Sequence, residues 1–162
     1  MNKPIIYCDM DGVLADFKTG AQKTTKMSIN KWMSMGKNKW SLIKAKKDFW
    51  QTLPWMPGGK QLWSYLSKFD PHILSAYVEE TYDPNCIPGK TEWLRKNAGI
   101  TNRSKINLVR RKDKKLFAKR GQPAILIDDY EKNIREFINA GGTGIHHTNT
   151  SKTISELKKL GF

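Results

Sequence analysis

Two pairs of acids stand where short apolar runs end. Asp9-Met10-Asp11-Gly12 follows Pro4–Cys8, and Asp128-Asp129 follows Ala124–Ile127. In an extended chain, side chains at i and i+2 point the same way. Asp9 and Asp11 can therefore converge at a strand's end, and Gly12 permits a sharp turn just after them. Open α/β sheets bind ligands at the carboxyl ends of their strands. If the two runs are neighbouring strands, four carboxylates meet in one crevice, and such a cluster needs a cation to stay ionised. Hard oxygen ligands with room for water suit Mg²⁺. An acidic, Mg²⁺-holding crevice in a basic protein suits a phosphate substrate, because metal and lysines together balance its charge. Ser75 ends another apolar run, where its hydroxyl can donate to a phosphate oxygen. Lys114 opens a helical pattern after Ile106–Val109, with Lys112 and Lys115 close by.

The run DMDGVLADF (Asp9–Phe17) resembles the first motif of the haloacid dehalogenase-like superfamily, and in its extended form the 5′(3′)-deoxyribonucleotidase branch. Ser75, a lysine near position 114 and Asp128-Asp129 follow in that superfamily's order. The segment FWQTLPWMPG (Phe49–Gly58) resembles that branch's return from cap to core. The resemblance spans most of residues 4–148, while residues 18–48 match nothing specific.

It implies a phosphatase of phosphate monoesters, most of all of a deoxynucleotide. Asp9 is then the nucleophile that forms an aspartyl-phosphate. Asp11 protonates the leaving oxygen and later activates water. Asp9, the backbone carbonyl of Asp11, and Asp128 or Asp129 hold Mg²⁺. Ser75 and a lysine bind the phosphoryl group. The helix-start position favours Lys114, whereas an ungapped match from the preceding strand favours Lys112. Lys90 is a further phosphate contact or, as a helix-start lysine, a solvated charge. Phe49 and Trp50 lead from the insertion to the crevice, where they either stack on a nucleobase or pack. Asp129 can alternatively cap the helix that follows it.

The elements that must position these groups alternate. Pro4–Cys8, Ile73–Leu74, Ile106–Val109, Ala124–Ile127 and Gly144–His147 read as strands. Helical patterns cover Gly59–Lys68, Lys90–Asn97, Lys114–Arg120, Glu131–Ala140 and Thr153–Leu160, the last opening on a capping-box spacing, Thr153-x-x-Glu156. This predicts an α/β, Rossmann-like three-layer sandwich with a central parallel sheet. Residues 18–56 hold no convincing strand and read as a small helical cap inserted after the first strand. The core is then 1–17 and 57–162.

Composition narrows the function classes. The chain has 162 residues, 38% hydrophobic and 27% charged, with a formal net charge of +14. The excess is concentrated in residues 18–50 and 90–120, around a more acidic remainder. A small phosphorylated substrate, a nucleotide above all, is expected, and nucleic acid is a second possible partner. The alternatives are a 3′-phosphatase of nucleic-acid ends and a non-catalytic nucleic-acid-binding protein, although no helix-turn-helix, zinc or RNP signature is present. Two cysteines, Cys8 and Cys86, make no disulfide framework, and a reduced, cytoplasmic setting is expected. No apolar run approaches a membrane span of about 20 residues. His146 and His147 lack partners at metal-ligand spacing and read as structural.

Overall fold

The computed structural model describes residues 3–162. Five strands, β1 (Ile5–Cys8), β2 (His72–Ala76), β3 (Ile106–Val109), β4 (Ala124–Asp128) and β5 (Thr143–His146), form one sheet in the order β3-β2-β1-β4-β5. Every pairing is parallel. The predicted α/β sandwich is the one observed. After β3 the chain crosses back to lay β4 beside β1, so the strand order reverses at the β1/β4 pair. That reversal leaves a crevice at the strands' carboxyl ends.

The strands are apolar on both sides because both faces are covered. One face of the sheet presents Ile6, Cys8, Ile73, Ile125, Ile127 and Ile145 to helices α4 (Gly59–Leu66), α5 (Cys86–Ala98) and α7 (Thr150–Lys159). The other presents Tyr7, Leu74 and Leu126 to α6 (Glu131–Asn139) and to a 3₁₀ segment, Arg111–Lys119.

Between β1 and α4 the described residues contain no strand. They form α1 (Phe17–Thr25), α2 (Ile29–Met33), α3 (Trp40–Ala45) and two short 3₁₀ turns. Asp16 caps α1 by accepting from the Thr19 amide, and Ser28 caps α2 by accepting from that of Lys31. The insertion enters and leaves through one neck. There the Asp16 amide donates to Pro54 and the Met56 amide to Leu14, at 2.8 and 2.7 Å. Its buried Trp32, Ile43, Phe49 and Trp50 continue the apolar cluster under α4 and α5 rather than forming a separate one.

Three helical segments start earlier than expected. Helix α5 starts at Cys86, not Lys90, and runs through Pro88 and Gly89. Proline is tolerated in a first turn, where amides lack intrahelical partners anyway. The 3₁₀ segment starts at Arg111 rather than at Lys114, so Lys114 is interior to it. A 3₁₀ helix eclipses residues three apart, and Lys114 and Phe117 accordingly both point inward and are buried.

Helix α7 starts at Thr150 instead of at a Thr153 capping box. Asn149 is its cap and accepts from the Lys152 amide at 2.9 Å, while Thr153 is buried and bonds His147 Nδ1. Replacing Asn149 by Ala is expected to lower the unfolding free energy by about 1 kcal/mol. Glu156→Ala is expected to change it by less than about 0.5 kcal/mol. Urea melts of the two variants check both.

Candidate active site

Strand β1 is held to β4 as far as Cys8–Ile127, and the Asp9 amide donates to the Ile127 carbonyl at 2.9 Å. Asp9 and Asp128 therefore leave adjacent strands side by side. Carboxylate oxygens of Asp9, Asp128 and Asp129 lie within 4.8 Å of one another. The turn that follows β1 depends on Gly12. Its φ of +85° suits glycine, and a Cβ there would overlap the Asp129 carboxylate.

Two buried lysines enter this cluster. Lys114 Nζ donates to Asp9 Oδ1 at 3.0 Å and to Asp128 Oδ2 at 2.8 Å. Lys90 Nζ donates to Asp11 Oδ2 at 2.8 Å, to Ser75 Oγ at 3.0 Å and to the Ala76 carbonyl at 2.6 Å. Burial alone would depress both ammonium groups. Burial is the largest single effect at each, but neighbouring charges and hydrogen bonds together outweigh it, led by Asp11 at Lys90 and by Asp9 and Asp128 at Lys114, so both are held above the ordinary lysine value. Asp9 is pushed well above the usual carboxylate range by burial and then by the charge of Asp128. Asp128 is fully buried and accepts from Lys114, from Asn133 Nδ2 and from the Tyr130 amide.

Asp9, Asp11, Ser75, Lys114, Asp128 and Asp129 thus meet as the sequence places them. Three expectations change. Asp129 does not cap the following helix, whose N-cap position is Tyr130 and which has no side-chain cap bond. Lys90 is 1% exposed and is no solvated charge. Its role was hidden by the Pro88-Gly89 pair, which reads as a helix boundary. Phe49 is not brought to the crevice. It is 1% exposed, edge-on to Phe17 and Trp50, and borders a separate cavity between α1 and α3. His146 meets the Asp129 carbonyl, and neither histidine joins the carboxylate cluster.

The crevice opens at Asp11 into a chamber of about 310 Å³. Lys90 and Ala76 line it from the core side, and Phe17, Trp32, Trp40 and Trp50 from the insertion. Trp50 is itself buried and donates its indole N–H to Asp83 at 2.7 Å. Phe17 stacks on Trp50, with centroids 5.5 Å apart and planes 25° from parallel. Lys39 stands over the rings of Trp32 and Trp40. Asp11 Oδ1 is buried beside this chamber and has no hydrogen-bond partner.

No protein-family model matches the chain, and no curated protein matches its sequence. Its fold is found in solved structures. A hydrolase from Streptococcus pneumoniae TIGR4 is 12% identical, with a TM-score of 0.60, over 98% of this chain and 100% of that one. The L-2-haloacid dehalogenase of Xanthobacter autotrophicus is 15% identical, with a TM-score of 0.58, over 97% and 83%. A HAD hydrolase, family IA, variant 3, from Entamoeba histolytica HM-1:IMSS is 13% identical, with a TM-score of 0.51, over 88% and 82%. At these identities the likeness is one of fold.

The donor set fits a divalent cation. Four carboxylates face two ammonium groups, which leaves two negative charges when all are ionised. The carboxyl of Asp129 shows the strain of that excess. Burial, then the charge of Asp128, push it from 3.8 to about 6. The folded state then holds this proton more tightly than the unfolded chain does. Without metal, its contribution to stability falls as pH rises from about 4 to about 6, and the loss is complete above that window. A cation that binds the ionised cluster offsets the loss. Adding Mg²⁺ is therefore expected to raise the melting temperature more at about pH 7.5 than at about pH 5. Equal shifts at both pH values would count against the carboxylate cluster as the binding site.

Proposed function

We propose that this protein is a Mg²⁺-dependent phosphatase that hydrolyses the monoester of a nucleoside monophosphate through an aspartyl-phosphate on Asp9. The observation that carries the reading is a buried Asp9–Lys114–Asp128 cluster beside an aromatic chamber that is lined by Asp11 and by the Lys90 that holds it. The fold shared with a hydrolase and a HAD hydrolase supports it.

In the first step Asp9 attacks phosphorus, and the bond from phosphorus to the ester oxygen breaks. That oxygen takes a proton from Asp11. In the second step Asp11 takes a proton from water, whose oxygen attacks phosphorus. The bond to Asp9 then breaks, and phosphate leaves with both carboxyl groups restored. Lys90 acts through its neighbours. By holding Asp11 Oδ2 and Ser75 Oγ it fixes the carboxyl of Asp11, a residue that lines the chamber proposed to receive the leaving group. Lys114, 3.0 Å from Asp9 Oδ1, is in reach of oxygens on a phosphoryl group attached there. Held by Asp9, Asp128 and Asp129, with the Asp11 carbonyl completing the set, Mg²⁺ would supply charge neutralisation of the phosphoryl oxygens.

A haloacid dehalogenase shares the fold, but a halide departs without a proton. An acid poised beside the leaving-group chamber fits an oxygen leaving group better. The chamber's aromatic walls fit a flat base, which stacks on such rings with about 1–3 kcal/mol per base.

Two substitutions test the reading. Asp9→Asn should cut phosphate release from nucleoside monophosphates by at least about a thousandfold, with an unchanged circular dichroism spectrum. Appreciable residual turnover removes Asp9 as nucleophile. Trp40→Ala should raise KM about tenfold for a nucleoside monophosphate and less than about twofold for glycerol phosphate. Equal effects reduce Trp40 to packing.

A further inference from the structure

The aromatic chamber does not end at the insertion. Tyr77, which follows β2, is a wall of that chamber and also of a second groove of about 310 Å³. Arg110 and Arg120 line this second groove together with Leu108, Leu116 and Phe117. The substrate of a plain mononucleotidase needs one phosphate site and one base site, which the cluster at Asp9 and the chamber already provide. The groove past Tyr77 is surplus to that need.

Its chemistry is that of a nucleic-acid backbone site. Arg110 and Arg120 are both exposed. The Arg120 guanidinium carbon lies over the Phe117 ring, 4.0 Å from its centroid, which places the cation beside an apolar surface. Leu116 is 57% exposed, an apolar surface left open between charged groups. Guanidinium groups beside apolar surface match alternating phosphates and bases. Asp113 is the acid among the lining residues. Glu79 meets Arg110 at 3.6 Å, both half exposed, and an exposed pair of that length is worth at most about 1 kcal/mol. An incoming phosphate can displace it. On the chamber's other side Lys39 continues the basic line.

We infer that the substrate is the phosphorylated end of a nucleic-acid strand, with the terminal nucleotide in the chamber and the following phosphates against Arg110 and Arg120. This rests on the phosphatase reading above and extends it from one nucleotide to a chain.

The test compares a nucleoside monophosphate, a nucleoside 3′,5′-bisphosphate, and 3′- and 5′-phosphorylated hexadeoxynucleotides, with the whole protein and Mg²⁺. One of the hexanucleotides should surpass the monophosphate in kcat/KM at low salt. Replacing Arg110 and Arg120 by Gln should lower its kcat/KM at least tenfold relative to the monophosphate. The log–log salt slope should flatten by about 0.7 for each arginine removed. A bisphosphate as good as the hexanucleotide, or an equal loss on every substrate, overturns the strand assignment and leaves the phosphatase intact.

A second arm needs no turnover. An Asp9→Asn protein should bind the preferred labelled hexanucleotide, as read by fluorescence anisotropy, and lose at least tenfold in affinity when both arginines are replaced. Absence of phosphate release from all substrates together with arginine-dependent binding defeats the phosphatase reading but keeps the groove. Binding indifferent to both arginines defeats the groove.

Discussion

Two buried ammonium groups set against four carboxylates govern this end of the sheet. Neither set could be buried alone, because an isolated charge in a dry interior costs many kcal/mol. Strand pairing delivers Asp9 and Asp128 to the same place, and Lys114 bridges them with hydrogen bonds of ordinary length. Asn133 and the Tyr130 amide then fix Asp128, so the carboxylate cannot rotate away. Lys90 performs the same service for Asp11, but through only one of its oxygens. The asymmetry matters. The carboxylates of the sheet are tied down, and the one at the chamber keeps a free valence for chemistry.

The acidic pairs were legible because each is local. An apolar run followed by acids needs no tertiary information to be read as a strand end, and alternating elements predict a parallel sheet, but that β1 and β4 are neighbours comes from the structure. Lys114 was legible from its place after the third strand, although the 3₁₀ segment that carries it begins three residues earlier than the helical pattern suggests. Lys90 was not. Its meaning depends on α5 continuing backward through Pro88 and Gly89, and on residue 89 having no side chain. A Cβ there would collide with Trp50, which arrives from a segment 39 residues earlier in the chain. Phe49 and Trp50 show the same limit. Adjacent aromatics look equivalent in a sequence, yet only Trp50 reaches the chamber. Which neighbour faces the ligand is settled by packing against α1 and α5.

The insertion adds no separate core. Its buried aromatics extend the cluster beneath the sheet's helices, and its two connecting segments are hydrogen-bonded to each other at the neck. The aromatic chamber is therefore built between parts that share one apolar cluster, with Asp11 three residues before Leu14, where the neck closes on its β1 side.

The anchoring of Trp50 gives that chamber an unequal pair of jaws. Its indole is bonded to Asp83 in the core, its Cβ presses on the bare backbone of Gly89, and Lys90 lies 5.2 Å from its ring centroid. Trp32, which also lines the chamber, is bonded within the insertion, to the Lys39 carbonyl. The two tryptophans are thus anchored unequally, Trp50 against the helix that steadies Asp11 and Trp32 within the insertion alone. A shift of α2 and α3 would therefore move the Trp32 wall of the chamber and leave Trp50 in register with Asp11.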